Sequence, residues 1–255
     1  MRLAAAGFDG LAACRPDMKG REGKPDMDNE FEQRIATAEA IAFVGETLAP
    51  FYLNDPRTGD ASAVFSAMAA LNPQDAASEW PFAAREEALC AFSLMAEGLA
   101  GCTGVSPCTG QKAFMADDAL VDEYRRLFIG PAPKPAPPWG SVYTDRECVV
   151  FGESTIALRA WMRDNGIARL SDERTPEDHI GLMLALMAHV ARMHTGLLDE
   201  YLRLHLLTWA PHFLHEFAEA AEHPFYRGLA MLTDSSLEGI REALSVDVVE
   251  PRFYR

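Results

Sequence analysis

Imidazole and carboxylate groups recur along HLLTWAPHFLHEFAEAAEH, residues 205–223, where His212 and Glu216, and again His215 and Glu219, stand one helical turn apart. Pairs at this spacing can ligate a transition metal, and a helical metal-binding enzyme using His212, His215 and Glu219 is one reading of the chain. A carboxylate-bridged metal bundle needs Glu-x-x-His on two helices with further glutamates opposite. No such arrangement is visible in the sequence, so ordinary surface pairing of a few tenths of a kcal/mol is the competing reading. A second reactive pair could be Cys102 and Cys108 in GCTGVSPCTG, either as a reversible disulfide or as two free thiols, since spacing alone does not bring sulfurs into bonding geometry. The chain has no GxxxxGK[ST], no strand-linked GxGxxG, no GxSxG and no HExxH, so the commonest nucleotide, hydrolase and zinc-protease chemistries are not indicated. No cofactor is expected.

The elements that would position these groups read as helix after helix. From 29 to 51 the residues Phe31, Ile35, Ile41, Val44, Leu48 and Phe51 recur at helical steps, with Pro50 marking an end. Further helices are predicted over 60–71, with Asp60 as N-cap, and over 83–100, stopped by Gly101. Another spans 112–129, then 152–165 ended by Asn165-Gly166, and finally 176–195, 197–209, 211–222 and 225–246. No segment shows convincing period-two alternation. Between the fourth and fifth helices lies LFIGPAPKPAPPWGSVYTDRE, in which every proline fixes φ and removes a donor, so Pro131 to Pro138 can be neither helix nor central strand. Long ordered loops carrying large apolar side chains are uncommon and tend to be functional. The expectation is an all-α fold, a single-domain bundle of about nine or ten helices around a central proline-rich loop.

The totals narrow the partners. The chain has 255 residues, 49% of them hydrophobic, which suffices for a buried core, and a formal charge of −15 that repels phosphate backbones and anionic lipid. Nucleic acid and stable membrane insertion are therefore not expected, and no run reaches the roughly 18 apolar residues of a membrane span. Five cysteines without a CxxC pair suggest a reducing, cytoplasmic setting. At the N-terminus Asp9 interrupts the only stretch resembling an export signal. Residues 1–27 are expected to be a disordered extension, with Met27 as the start of translation and 28–255 as a single helical domain.

Two segments then stand out together. EYRRLFIGPAPKPAPPWGSVYTDRE, followed by FGEST, precedes RTPEDHIGLMLALMAHV, and the combination resembles the TorD/DmsD family of cytoplasmic chaperones for molybdoenzymes. Members carry Y-x-x-LF-x-G-P, PPWGSVY, G-x-S/T and E-x-DH in that order. Here these are Tyr124, Leu127, Phe128, Gly130 and Pro131; Pro137 to Tyr143; Gly152 with Ser154; and Glu177, Asp178 and His179. The resemblance implies binding rather than catalysis. Its partner would be the twin-arginine leader, and the catalytic subunit, of a molybdopterin oxidoreductase of the DMSO or trimethylamine N-oxide reductase type, held until its cofactor is inserted. The binding residues it implies are Tyr124, Leu127, Phe128, Pro138, Trp139, Gly152, Asp178 and His179. One departure is Tyr124, where the DmsD-like branch often has tryptophan.

Residue physics offers both support and rival readings. A twin-arginine leader presents two cations and an apolar stretch, so its receptor should offer carboxylates at one end of an apolar groove walled by aromatic anchors. Thr175-Pro176-Glu177-Asp178 also has the form of a helix start, with Thr175 as N-cap, Pro176 at N1 and Asp178 at N3, which would make Asp178 a cap and leave His179 without capping duty. Trp139 could be a presented anchor or a plug between helices.

Overall fold

The computed structural model describes residues 27–105, 112–169, 175–249 and 251–255. Within them the chain is all-α, as expected, with eleven α-helical segments and one two-stranded hairpin. The expected N-terminal extension lies, apart from Met27, outside the described residues.

Helix α1 (Met27–Leu53) runs antiparallel companion to α8 (Ile180–Met193), and α11 (Pro224–Leu244) packs between α4 (Arg85–Leu99) and α10 (Ala210–Ala220). Their apolar stripes meet in one contiguous core that reaches from Ile41 to Val246. Its centre is aromatic: Phe51 meets Phe65 edge-on at 5.0 Å and Phe225 at 5.3 Å, and Phe213 sits 5.3 Å from Phe217. The hydroxyls that this packing buries find partners. Tyr52 Oη and Thr233 Oγ1 are 2.9 Å apart, and Tyr201 Oη donates to the Met183 carbonyl at 2.7 Å.

Several boundaries differ from those read in the sequence. Helix α1 continues one turn beyond Pro50, whose missing N–H is tolerated in the last turn, and Thr58 rather than Asp60 is the N-cap of α2 (Gly59–Ala69). A short helix, α3 (Pro73–Glu79), was not anticipated; Asn72 caps it, its side-chain oxygen accepting the Gln74 N–H at 2.8 Å. The helix predicted from 112 begins later, because Lys112–Phe114 forms β2, paired antiparallel with β1 (Thr103–Val105). Helix α5 (Asp118–Tyr124) follows, capped by Asp117, which accepts the Leu120 N–H at 2.9 Å. Cys102 beside the hairpin is a buried free thiol, and Cys108 lies outside the described residues. The remaining elements are α6 (Ser141–Thr144), α7 (Glu153–Asp164) and α9 (Leu198–Tyr201). As expected, α7 ends at Asn165-Gly166, with Gly166 at φ +69°. No helix of the described residues is long and apolar enough to cross a membrane.

Candidate functional site

The proline loop leaves α5 through a π-helical turn, Arg125–Ile129, a local widening that recurs at functional positions. The turn separates Leu127 and Phe128. Leu127 is wholly buried, whereas Phe128 stays partly exposed, its ring 5.0 Å from Tyr124, 5.5 Å from Phe217 and 6.2 Å from Tyr52. Gly130 then turns the chain at φ +100°, a conformation that a side chain would strain, and the prolines begin. Tyr124 is itself buried and donates its hydroxyl to the Leu53 carbonyl at 3.2 Å.

The prolines deliver the backbone of residues 138–140 to the turn that precedes α8. The Ile180 N–H donates to the Pro138 carbonyl at 2.8 Å and the Gly140 N–H to the Asp178 carbonyl at 3.1 Å, making an antiparallel bridge between Trp139 and His179. The two motif segments, far apart in sequence, therefore share one small piece of sheet. Trp139 remains partly exposed, its ring edge-on to His179 at 5.8 Å and the Lys134 ammonium 5.3 Å from its centre. The tail of the chain braces the same loop from the other side. The Tyr254 N–H donates to the Tyr143 carbonyl at 3.0 Å, and Arg255 donates to the Pro135 carbonyl at 2.7 Å.

The predicted helix start at Thr175 is corrected here. Helix α8 begins at Ile180 and its N-cap is His179, whose Nδ1 accepts the Gly181 N–H at 3.1 Å. His179 thus holds the capping duty that the sequence assigned to Thr175 and Asp178. Asp178 is instead a tie across the fold: its Oδ2 accepts the Ser141 N–H at 2.8 Å, fixing the start of α6. Its carboxyl is buried, which raises its pKa, and the Ser141 and Thr155 hydroxyls beside it offset part of that effect without closing a well-formed hydrogen bond to Oδ1. Glu177, also buried, is neutralised by two cations, with Arg159 Nε at 2.5 Å and Arg169 in a second ion pair. Gly152 opens α7 where the Asp145 carboxylate folds over its first turn, and a Cβ there would come within 1.8 Å of Asp145 Oδ2. That carboxylate accepts the Ser154 N–H at 3.2 Å.

Of the residues nominated from sequence, Phe128, Trp139 and Gly152 are partly exposed, while Tyr124, Leu127, Pro138, Asp178 and His179 are buried. The buried ones support the exposed ones: Tyr124 backs Phe128, and His179 backs Trp139. The other nominated cluster does not converge. His212 and Glu216 are 3.4 Å apart and His215 and Glu219 3.5 Å, each a pair on α10, and no group of three or more such side chains gathers among the described residues. His212 stacks on Phe253 at 4.3 Å, part of the bracing by the tail. Sequence reading missed His205, which lies on a π-helical turn (Leu202–Leu206) near Asp178 in a cleft under the loop. Its only sequence signal was a histidine in an apolar run.

Burial also sets a pH dependence. It lowers the His179 pKa to about 3, with the Lys134 charge acting in the same direction. From pH 6.5 down to about 3, the unfolded chain binds a proton that the folded chain refuses, so stability falls as pH falls through that window. His205, lowered to about 4, acts in the same sense, whereas the raised Asp178 carboxyl acts oppositely, losing stability as pH rises through its folded pKa. His179→Asn keeps a capping oxygen and removes the titration. Between pH 7 and pH 5 the wild-type protein should lose about 2 kcal/mol more stability than this variant. Parallel melting curves against pH for the two proteins would contradict the assignment.

Comparison with known proteins supplies the remaining observation. Residues 92–215 match the family model described as nitrate reductase delta subunit. A DmsD of Haemophilus influenzae is 46% identical over 136 residues, covering 53% of this chain and 67% of its own. The Tat proofreading chaperone DmsD of Salmonella typhi is 44% identical over 142 residues, 54% of this chain and 69% of its own. The chaperone protein TorD of Shewanella piezotolerans is 30% identical over 130 residues, 46% and 60% of the two chains.

Proposed function

The chain belongs to the TorD/DmsD family of redox-enzyme maturation chaperones, and from that premise we propose that it binds the twin-arginine leader of a molybdopterin oxidoreductase in the cytoplasm and holds that enzyme back from export until its cofactor is in place. Its relatives are named chaperones, and its role is binding, with no bond-making step.

The observation that carries the reading is the bridge between Trp139 and His179. It joins the loop and the Glu-Asp-His turn into one rigid unit and leaves Trp139 and Phe128 as partly exposed aromatic rings on a buried support. An anchor held in place beforehand loses little freedom on binding, which is where a stiff proline loop helps affinity. Leu127, Tyr124, Pro138 and His179 serve by holding that unit in shape, and Asp178 supplies the negative charge for a leader arginine. The acidic balance of the chain, −15, favours a cationic peptide over nucleic acid.

The test is calorimetric titration with a synthetic leader from the molybdoenzyme encoded beside this gene. Binding in the micromolar range or tighter, about −8 kcal/mol, is expected. Absence of heat, together with no competition at tenfold higher peptide concentration, would remove leader binding as the function.

A further inference from the structure

Beneath the proline loop lies a cleft of about 300 Å³ between α7, α8 and the π-helical turn that carries His205. Asp178, His205, Ser154, Met183, Leu204 and Trp209 are among its lining residues. Two of these carry buried polar atoms without a hydrogen-bond partner: Asp178 Oδ1 and His205 Nε2. Buried polar atoms are nearly always paired, so two orphans on the wall of one cleft call for a bound group. The pairing that is present sharpens the point, because Asp178 Oδ2 is already committed to the Ser141 N–H and only Oδ1 is left over.

The chemistry of the walls selects the occupant. A carboxylate oxygen and a neutral imidazole nitrogen can both accept hydrogen bonds, and an indole face adds attraction for a cation. An anion is repelled by Asp178. A metal ion would need more ligands than one free carboxylate oxygen and one imidazole. An ammonium is a strongly hydrated point charge that suits an apolar cleft poorly, whereas a guanidinium is planar, weakly hydrated and carries several donors fixed in direction. The volume is at the small end for ligand pockets and matches a single side chain rather than a cofactor. The cleft also continues into a second groove of about 380 Å³, which shares Leu204, Ala157 and Thr208 with it and adds Val249 and Pro251. Asp145 and Glu153 stand along that groove.

We propose that this cleft is the seat of one leader arginine, whose guanidinium donates to Asp178 Oδ1 and His205 Nε2 against the Trp209 indole, while the residues that follow it run along the adjoining groove over Leu204 and Ala157. The proposal rests on the leader-binding reading above and adds to it a specific acceptor, His205, that lies outside the family motifs. A guanidinium donor at Nε2 holds His205 in its Nδ1–H tautomer.

The test uses the full chain, the native leader, and the same leader with both arginines replaced by glutamine. His205→Phe keeps a ring against Trp161 and Tyr201, whose centroids lie 5.4 and 6.3 Å away, and removes Nε2. It should weaken the native leader about tenfold and the glutamine leader by less than about twofold. Leu204→Trp, at an exposed position on the cleft wall, should block the native leader to a similar degree without disturbing the fold. Separately, Nα-acetylarginine amide, and not Nα-acetyllysine amide, should shift the His205 ring resonances of the wild-type protein saturably. Equal loss for both leaders in His205→Phe, full affinity in Leu204→Trp, or no response to the arginine amide would each overturn the subsite. A wild-type protein that answers the arginine amide yet binds no leader would instead overturn the leader-binding reading and leave the guanidinium site standing.

Discussion

Trp139→Ala is expected to weaken binding of the native leader by about 2 kcal/mol or more, roughly thirtyfold, while lowering folding stability by only about 1 kcal/mol. The asymmetry follows from how the indole is held. Its position in space is set by backbone bonds, Ile180 N–H to the Pro138 carbonyl and Gly140 N–H to the Asp178 carbonyl, which alanine at 139 leaves intact. Its ring is partly exposed and leans edge-on against His179, and its Nε1 is buried without a partner, so truncation also removes an unsatisfied donor. A tryptophan acting as a plug would behave otherwise, since deletion of a buried indole from a core costs about 3 to 5 kcal/mol of stability. Thermal melting and leader calorimetry on this one variant distinguish the two roles. A large fall in melting temperature with leader affinity preserved would make Trp139 a plug and remove it from the binding surface.

The long helices were legible in the sequence because their apolar residues keep the period of an α-helix: α1, α4, α7 and α11 lie within two residues of where the pattern puts their ends. What was not legible depends on partners far along the chain. The hairpin offers three residues a side, too few for alternation to register, and Phe114 is held there by stacking on Phe65 at 5.6 Å, a contact between distant segments. Thr175-Pro176-Glu177-Asp178 is a sound local helix start, yet tertiary pairing overrides it. Asp178 and Ile180 bond to the proline loop, Glu177 is drawn into ion pairs with Arg159 and Arg169, and the helix can begin only after those bonds are made. The two motif segments were readable as types of residue, but not as neighbours, and nothing in the local pattern distinguished buried Leu127 from partly exposed Phe128, which a single π-helical turn separates. His205 had no motif at all; only the cleft it shares with Asp178 brings it forward.

Asp178→Asn should separate charge from architecture more sharply than any other substitution in the site. The asparagine carbonyl can still accept the Ser141 N–H that Asp178 Oδ2 accepts at 2.8 Å, so the start of α6 stays fixed. What is lost is a carboxylate that burial already disfavours in its charged form. Removing an unpaired buried charge is neutral or stabilising, and the melting temperature of the variant should equal or exceed that of the wild type near neutral pH. Leader binding should move the opposite way. A guanidinium entering the cleft meets no charge in the variant, and loss of one partner of a desolvated charge pair costs about 2 to 5 kcal/mol, so the native leader should weaken by at least about 2 kcal/mol. The leader with its arginines replaced by glutamine should bind the variant and the wild type within about twofold of each other, because its affinity comes from apolar burial that Asp178 does not touch. A protein that gains stability and loses a cationic peptide has given up a charge kept for binding. If Asp178→Asn lowers the melting temperature and weakens both leaders equally, Asp178 is only the tie between the Glu-Asp-His turn and α6, and the leader arginines must find their counter-charge along the rim, at Asp145 and Glu153.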